Sequence, residues 1–471
     1  MFKDFRILFF IILIIMGTTK ITQAEEQVAE PLTLKQTVQI ESIKEPLTLK
    51  QAIQYALINN QELMALKNTL ESQKKDIGFA RSAFLPRLSF RESTLYTNTP
   101  QLVTAIILNQ ERFVLGDLNP ATVNDPDPEV NFLTSFTVEQ KIFFKRDIMT
   151  YIIAKKRYLV AEQLYLREQE ELVYKVAQSY LTINAAAELF NAAQKASNEA
   201  KENLKVVNAR YKDGTGSGSD VMRASTALME IEQKLITARK NFNIAKRSLG
   251  LLLGVDKEVN VTNDIIEVPI YDYSYYKNAA LSRKDVQALQ LRYENVKNDV
   301  RLARADYYPR IDAGSTYLFN DHRAPFLGEG ESFQVFGAIN WDIFDGTKTR
   351  YAVARAKELV ESTAKELEGL KNTASFQVYQ AYLEAEETKK KLELAISALE
   401  MAQGCKGSVL SEYANGNCPF IDLSDTQASL DRIRSDVATS RNAYKLSLIN
   451  LSYQSGTILE DLCLKIVDKQ E

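Results

Sequence analysis

Side chains that commonly do chemistry are few and scattered in this sequence. The chain has three cysteines, Cys405, Cys418 and Cys463, and one histidine, His322. Three thiols this far apart predict neither a disulfide framework nor a metal cluster, so free thiols are expected. His322 falls in a predicted surface loop, with no Gly-x-Ser-x-Gly motif or metal-spaced cluster elsewhere. The sequence therefore predicts no catalytic site, no metal and no cofactor, and an enzyme is the least favoured class of protein.

Two glycine-centred stretches carry the remaining polar candidates. They are RYKDGTGSGSDV, at 210–221, and EYANGNCPFIDLSD, at 412–425. Gly214 and Gly416 are expected to end long helices, because glycine adopts positive φ readily. Ser219, Asp220 and Asp422 are suited to cap the helices that follow. The run GTGSGS lacks the Gly-Lys-Ser/Thr of a phosphate loop, so a flexible hairpin tip is the prediction.

The composition is that of an ordinary globular protein with a sizeable core. Of 471 residues, 45% are hydrophobic and 25% are charged, and the formal net charge is -3. Lysines and arginines are dispersed among glutamates and do not form a stripe, which argues against a nucleic-acid partner.

The N-terminus has the pattern of a secretory signal peptide over residues 1–24. Lys3 and Arg6 precede the apolar run ILFFIILIIM, and Thr22-Gln23-Ala24 offers a cleavage site. The run is too short to span a bilayer as a helix, so export is favoured over a membrane anchor. An extended linker is predicted at 25–46, and EPLTLKQ occurs twice in this part of the chain, from Glu30 and from Glu45.

The rest of the chain reads as a tandem duplication. Ala80, Pro86 and Arg87 recur as Ala303, Pro309 and Arg310, and further pairs recur at a second offset: Val176 with Val378, Tyr211 with Tyr413, Gly214 with Gly416, and Asp220 with Asp422. The change of offset places extra residues in copy one, in the loop around LGDLNPATVNDPDPE. The predicted boundaries are repeat 1 at 47–254, a connector at 255–274, repeat 2 at 275–456 and a C-terminal tail at 457–471.

Each copy has the predicted order helix, strand, strand, long helix, hairpin turn, helix. Proline ends the first helix at Pro86 and Pro309, because it removes a backbone donor and disfavours helical geometry before it. Alternating apolar and polar residues then predict strands, near 87–98, 129–143, 310–320 and 332–344. Such two-faced segments fit either membrane barrel strands or a half-buried sheet on the helices.

Long heptad-spaced helices favour the membrane alternative. From about Arg146 to Lys212, and again from about Thr349 to Tyr413, no proline occurs and apolar residues recur every seven positions. Four strands per chain are too few to close a barrel, and unpaired strand edges are not tolerated in lipid. Three chains would supply twelve strands and leave a lumen. The predicted fold is mainly α with a membrane β-barrel shared by a trimer.

The element order, the ARSAFLPRLSF junction and the doubled Tyr-x-x-Gly turn resemble the outer membrane efflux protein family of TolC-like channels. The resemblance covers nearly the whole chain after residue 24. It implies a homotrimeric channel-tunnel, with a shared twelve-stranded barrel among outer membrane lipids and a long antiparallel α-helical barrel in the periplasm. It also implies an exit duct in a tripartite efflux or type I secretion system, with a periplasmic adaptor protein and an inner-membrane pump as partners.

The resemblance also assigns roles at the hairpin turns. By position in the motif, Asp422 and Asp425 correspond to aspartate rings that constrict the periplasmic entrance of the pore. Tyr413 corresponds to a tyrosine of the gating network that bonds toward the Ser219 and Asp220 position. Cys418 stands where the family pattern has an arginine of that network, which implies a different latch in this chain.

Two other classes of protein remain alternatives. A passive outer-membrane porin has no use for helices of this length, and a structural coiled-coil protein that spans the periplasm needs no two-faced strands.

Overall fold

The structure is a computed structural model, and it describes residues 45–262, 270–414 and 417–462. The predicted signal peptide, residues 25–44 of the predicted linker, the middle of the connector, Gly416 and Cys463 lie outside these residues.

Apart from short additional helices, the described residues form helices and strands in the same order in both copies. In copy one the helices are α1 (Leu49–Asn59), α2 (Gln61–Ser82), α3 (Pro100–Asn109), α4 (Pro120–Asn124), α5 (Lys145–Lys212) and α6 (Gly218–Leu252), with strands β1 (Arg87–Thr97) and β2 (Glu129–Phe143). Copy two has helices α7 (Tyr273–Ala280), α8 (Lys284–Arg304), α9 (Lys348–Ala414), α10 (Phe420–Ser455) and α11 (Ile458–Asp461), with strands β3 (Arg310–Asp321) and β4 (Gly330–Asn340). The predicted fold class, mainly helical with four strands, is confirmed.

The first helix of copy one, which the sequence predicts as a single element ended by Pro86, is divided in two at Asn60. Asn60 has extended backbone angles, and its Oδ1 accepts a hydrogen bond from the N–H of Leu63 at 2.9 Å. Its Nδ2 donates to the carbonyl of Leu252 at 2.9 Å, which ties the joint to the end of α6. Asparagine is a preferred N-cap because its side chain satisfies a free N–H of the first turn. The prediction of one continuous helix was therefore wrong.

Copy two repeats this joint with different chemistry. Arg283 is the N-cap residue of α8, and its Nη1 donates to the carbonyl of Gln454 at 3.2 Å. Asn60 and Arg283 are related by the first duplication offset, and Leu252 and Gln454 by the second. The duplicated architecture has therefore kept the contact while the side chain changed.

The four strands form one antiparallel sheet in the order β1-β2-β3-β4. The register pairs Phe90 with Phe136, Phe136 with Tyr317, and Tyr317 with Phe333. One face, here called the apolar face, therefore carries Leu88, Phe90, Phe132, Phe136, Val138, Tyr317, Phe333, Val335 and Ile339. The opposite, polar face carries Ser89, Arg91, Ser135, Thr137, Thr316 and Gln334.

The extra residues of copy one lie between β1 and β2, but they are not a simple loop. They contain α3 and α4, and Val103 and Ile106 of α3 are buried. Gln110 follows α3, is fully buried, and donates through Nε2 to Asn131 Oδ1 at 3.0 Å. Asn131 in turn donates to Asn320 Oδ1 at 3.0 Å. This polar chain joins the inserted segment to β2 and β3.

The helices pack around two related cores. The first contains Val173, Val176 and Tyr180 of α5, and the second contains Ala374 and Val378 of α9. All five side chains are fully buried. Burial of each larger apolar side chain stabilises the fold by about 1.5–3 kcal/mol. Helix α5 contacts α8 and α10 as well as α6, so it joins the two copies.

Helices α5 and α9 contain 68 and 67 residues. At a rise of about 1.5 Å per residue, each is about 100 Å long. Among the described residues, no helix combines the length and the apolar composition that a bilayer span requires.

Candidate functional site

The turn between α5 and α6 is organised by Gly214 and Ser217. Gly214 has φ of 72°, a left-handed conformation that ends α5 as predicted. Ser217 is the N-cap of α6, and its Oγ accepts a hydrogen bond from the N–H of Ser219 at 3.2 Å. The partner turn, between α9 and α10, includes Gly416, which lies outside the described residues.

The three residues predicted to cap helices are not caps. Ser219 and Asp220 lie one and two residues inside α6, behind Ser217. Asp422 lies in the first turn of α10, whose N-cap residue is Pro419. Carboxylates in a first turn still stabilise a helix, because they face its positive dipole end. The sequence analysis named Ser219 as a cap and missed Ser217, because the two serines lie two residues apart and either hydroxyl could cap the helix.

Tyr413 lies at the centre of a small core where the two turns meet, and only 5% of it is exposed. It packs with Val207 of α5, Ala224 of α6 and Leu423 of α10. This cluster joins the hairpin tip of copy one to that of copy two.

Arg210 is the charged partner that sequence reasoning missed. Its Nη1 donates to the carbonyl oxygen of Tyr413 at 3.0 Å, and its guanidinium lies 4.7 Å from the centre of the Tyr413 ring. Burial raises the pKa of the Tyr413 hydroxyl; Arg210 opposes this shift and the nearby Asp220 carboxylate adds to it. The structure therefore places Arg210 against Tyr413, while the role of Tyr413, Ser219 and Asp220 as a gating network stays a prediction. The sequence does contain one sign that Arg210 is special. The duplication aligns Arg210 with Glu412, so the charge at this position is reversed between the two copies.

Asp422 and Asp425 are both exposed on the first turns of α10. Residues three apart share a helix face, so the two carboxylates project from one side. Leu423 between them is buried in the cluster with Tyr413. The carboxylates are therefore held by a packed helix end and are available to solvent or to another chain.

Cys418 contributes packing to this tip. Its Sγ donates a long hydrogen bond of 3.6 Å to the carbonyl of Val409. Desolvation raises the pKa of the thiol, and the carboxylates of Asp422 and Glu412 add to the effect. A thiol held protonated is a poor nucleophile.

A second polar cluster ties the two hairpins together behind the tips, around Glu199 of α5. Its carboxylate accepts hydrogen bonds from Lys406 of α9 at 2.7 Å and from Gln427 of α10 at 2.8 Å. Arg434 of α10 donates to Glu199 Oε1 at 3.2 Å and also lies 3.4 Å from Asp431 Oδ1. We name these five residues the Glu199 cluster.

The two carboxylates of the Glu199 cluster respond to their surroundings in opposite directions. Burial disfavours the charge on Glu199, but the hydrogen bonds from Lys406 and Gln427 and the charge of Arg434 lower its pKa overall. Burial raises the pKa of Asp431, and the neighbouring charge of Glu199 raises it further. Ionised Glu199 is therefore the centre of the cluster.

A groove of about 520 Å³ runs beside this cluster, between α5, α6 and α10. Its walls include many alanines, among them Ala193, Ala196, Ala227 and Ala428. Small side chains let another helix approach closely.

A four-stranded antiparallel sheet is continued by paired helices, and these end in two hairpins that bear carboxylates. This combination is the architecture of the channel-tunnel proteins. The chain belongs to the outer membrane efflux protein family, whose family model matches residues 52–255 and 275–457, one stretch in each copy. Both the predicted family and the predicted outer membrane location are confirmed.

Named relatives and a solved structure agree with this assignment. Outer membrane protein TolC of Escherichia coli K12 is 19% identical over 421 residues, which cover 86% of this chain and 81% of TolC. Outer membrane protein OprJ of Pseudomonas aeruginosa is 25% identical over 260 residues, which cover 52% of this chain and 53% of OprJ. The crystal structure of the Campylobacter jejuni CmeC outer membrane channel matches with a TM-score of 0.72 at 16% identity, covering 89% of this chain and 90% of that one.

Proposed function

We propose that this protein is the outer membrane exit duct of a tripartite efflux or type I secretion system, and that it works as a homotrimer. The observation that carries the proposal is the sheet: among the described residues it has four strands, two unpaired edges and an apolar face, and it continues into helices about 100 Å long. Such a chain combines the parts of a membrane pore and of a periplasmic conduit.

The edges of the sheet support a trimer. Within the described chain, β1 and β4 each pair on one side only. Backbone groups left unpaired in lipid cost several kcal/mol each, so β1 of one chain must pair with β4 of another. Three chains would close a barrel of about twelve strands, which is wide enough to leave a lumen.

The exposed side chains support contact with lipid. Leu88, Phe333, Val335 and Ile339 on the apolar face are between 63% and 71% exposed in the single chain. At the junction with the helices, Trp341 is 58% exposed and donates through Nε1 to the carbonyl of Tyr307 at 3.1 Å. Aromatic residues with a polar atom are favoured where a barrel meets the membrane interface.

The hairpin tips would form the periplasmic entrance. In a trimer, Asp422 and Asp425 of each chain would face a common axis and produce a constriction with strong negative potential. Tyr413, Arg210, Ser219 and Asp220 would hold the entrance closed. Opening would require the two hairpins to separate at Tyr413 and at the Glu199 cluster.

The groove lined by alanines is a suitable dock for a helical segment of a periplasmic adaptor protein. Small residues allow close helix packing, and its polar rim includes Glu230, Lys234 and Asp436. The adaptor would link the tips to an inner-membrane pump, which supplies both the substrate and the energy.

The experiment is deletion of the gene from its bacterium and its return on a plasmid. An exit duct predicts that the deletion abolishes release of pump substrates into the medium, and that the full-length chain restores it. A passive porin predicts slower uptake with export unchanged. A structural tether predicts a change in envelope spacing with neither effect.

A further inference from the structure

A second cluster of ligand-forming side chains lies at the opposite end of the molecule from the hairpin tips. Strand β3 leads away from α8 and β4 leads back to α9, so the turn between them, at 322–329, lies at the end of the sheet away from the long helices. Asp321, His322 and Glu329 meet there, with candidate ligand atoms within 4.8 Å of one another. His322 is the single histidine of the sequence.

Asp321 is the observation that points to a bound cation, because its side chain is fully buried. Its Oδ1 accepts hydrogen bonds from the N–H groups of Arg323 at 2.7 Å and Ala324 at 3.4 Å. Its Oδ2 is buried and accepts no well-formed hydrogen bond from the described residues, and its partner there is the charged side chain of Arg323. The Arg323 guanidinium lies 3.5 Å from Oδ2 at the end of a side chain that is 61% exposed. A buried carboxylate oxygen that is held only by this long ion pair is incompletely satisfied, and a bound metal ion would satisfy it more fully.

The other two ligands are accessible and already in contact. His322 Nδ1 contacts Glu329 Oε2, and about a third of each side chain is exposed. The cluster therefore has one buried anchor and two ligands that an ion reaches from solvent.

The surroundings hold the turn in place before any ion binds. The N–H of Glu329 donates to the carbonyl of Asn320 at 3.1 Å, and Asn320 is bonded to Asn131. The ring of Phe326 stacks on Phe90 with centroids 6.0 Å apart. A tetrahedral zinc site has ligand atoms roughly 3.3 Å apart, so a shift of about 1.5 Å or less would close the site.

We infer that Asp321, His322 and Glu329 bind one divalent transition-metal ion of the zinc type per chain, with water in the fourth position. An imidazole nitrogen favours such ions over magnesium and calcium, which prefer oxygen ligands only. Two carboxylates balance the charge of the ion. The bound ion would clamp the β3–β4 turn onto the end of the sheet.

The test uses the untagged full-length protein in detergent, with its histidine labelled with ¹³C and ¹⁵N. Because His322 is the single histidine, the NMR spectrum contains one imidazole signal from the chain. On titration with zinc, this signal should shift and saturate at one equivalent per chain. Excess magnesium should not reverse the shift.

Two variants and one control decide the result. Glu329→Gln should weaken zinc binding at least tenfold, and His322→Ala should remove the site in calorimetric titration. Glu331→Gln is the control, since Glu331 lies two residues further on and accepts from the Tyr317 hydroxyl at 2.7 Å. Equal affinity in Glu329→Gln and the parent would mean a lone imidazole ligand and would overturn the inference. Absence of any shift at millimolar zinc would overturn it as well.

Discussion

Replacement of Val335 by arginine tests whether the apolar face of the sheet lies against lipid. Val335 is the central residue of β4, is 63% exposed, and shares its face with Phe333 and Ile339. Its neighbour Gln334 lies on the polar face, opposite Thr316. The pair Val335→Arg and Gln334→Arg therefore places the same charge on opposite faces at nearly the same depth.

The expected magnitude follows from the position of Val335 at the middle of the strand. An arginine that faces lipid near the bilayer midplane costs about 2–4 kcal/mol per chain. This corresponds to roughly a 30-fold to several-hundredfold loss in the folding equilibrium of each chain. Gln334→Arg faces the predicted lumen, where water solvates the charge, so its cost should be near zero.

The assay is the urea midpoint of the membrane-inserted protein, together with the amount of folded oligomer in outer membrane fractions. Val335→Arg should lower both, and Gln334→Arg should leave both close to the parent. Equal effects of the two variants would refute the assignment of faces and place the sheet outside the membrane.

Three further outcomes are expected. Native mass spectrometry of the detergent-purified protein should give the mass of a trimer; a stable monomer that inserts into membranes would contradict the shared barrel. Arg210→Ala should remove a charged hydrogen bond and the ring contact at Tyr413, weakening the tip by about 1.5–3 kcal/mol; hydrogen exchange should rise there, and unchanged exchange would exclude Arg210 from the latch. Glu199→Gln should loosen the hairpins at neutral pH. Because folding lowers the pKa of Glu199, its contribution is present above the pKa of an unfolded glutamate, about 4.3, and is lost as the pH falls through the folded pKa. The difference between Glu199→Gln and the parent in thermal unfolding should therefore shrink in acid, and a constant difference would contradict this role.

The regular parts of the fold were predictable because their signals are local and repeated. Alternation at Phe333 and Val335 is a property of neighbouring residues, and it predicted the face that the register shows. Val176 and Val378, matched by the duplication, are both fully buried. Repetition of a pattern at two places in one chain strengthens such a prediction, because both copies must fold the same way.

The contacts that depend on distant residues were not predictable. Asn60 divides the first helix because Leu252 offers a carbonyl to its side chain, and helical spacing alone gives no sign of it. The heptad spacing of apolar residues in α5 predicts that Tyr211 packs, yet it is 54% exposed, while its counterpart Tyr413 is buried. Arg210 accounts for part of that asymmetry, since it covers the Tyr413 ring. The contact between His322 and Glu329 was not predicted either, because it depends on the turn that brings the two side chains together.

The proposed pore roles of Asp422 and Asp425 rest on their exposed, shared face at the tip of α10 and on the family resemblance. Asp220→Ala provides a comparison, because it removes a first-turn carboxylate from α6 while leaving both proposed ring residues in place. It should loosen the closed entrance without removing cation binding.

The most direct test of the central claim is the conductance of the purified protein in a planar bilayer, with a trivalent cation added to either side. A duct whose entrance is narrowed by Asp422 and Asp425 predicts block from the side of the helices, weakening as the pH falls and protons neutralise the carboxylates. The double variant Asp422→Ala, Asp425→Ala should conduct without block and with less preference for cations. Block of the double variant as tight as that of the parent would contradict the account.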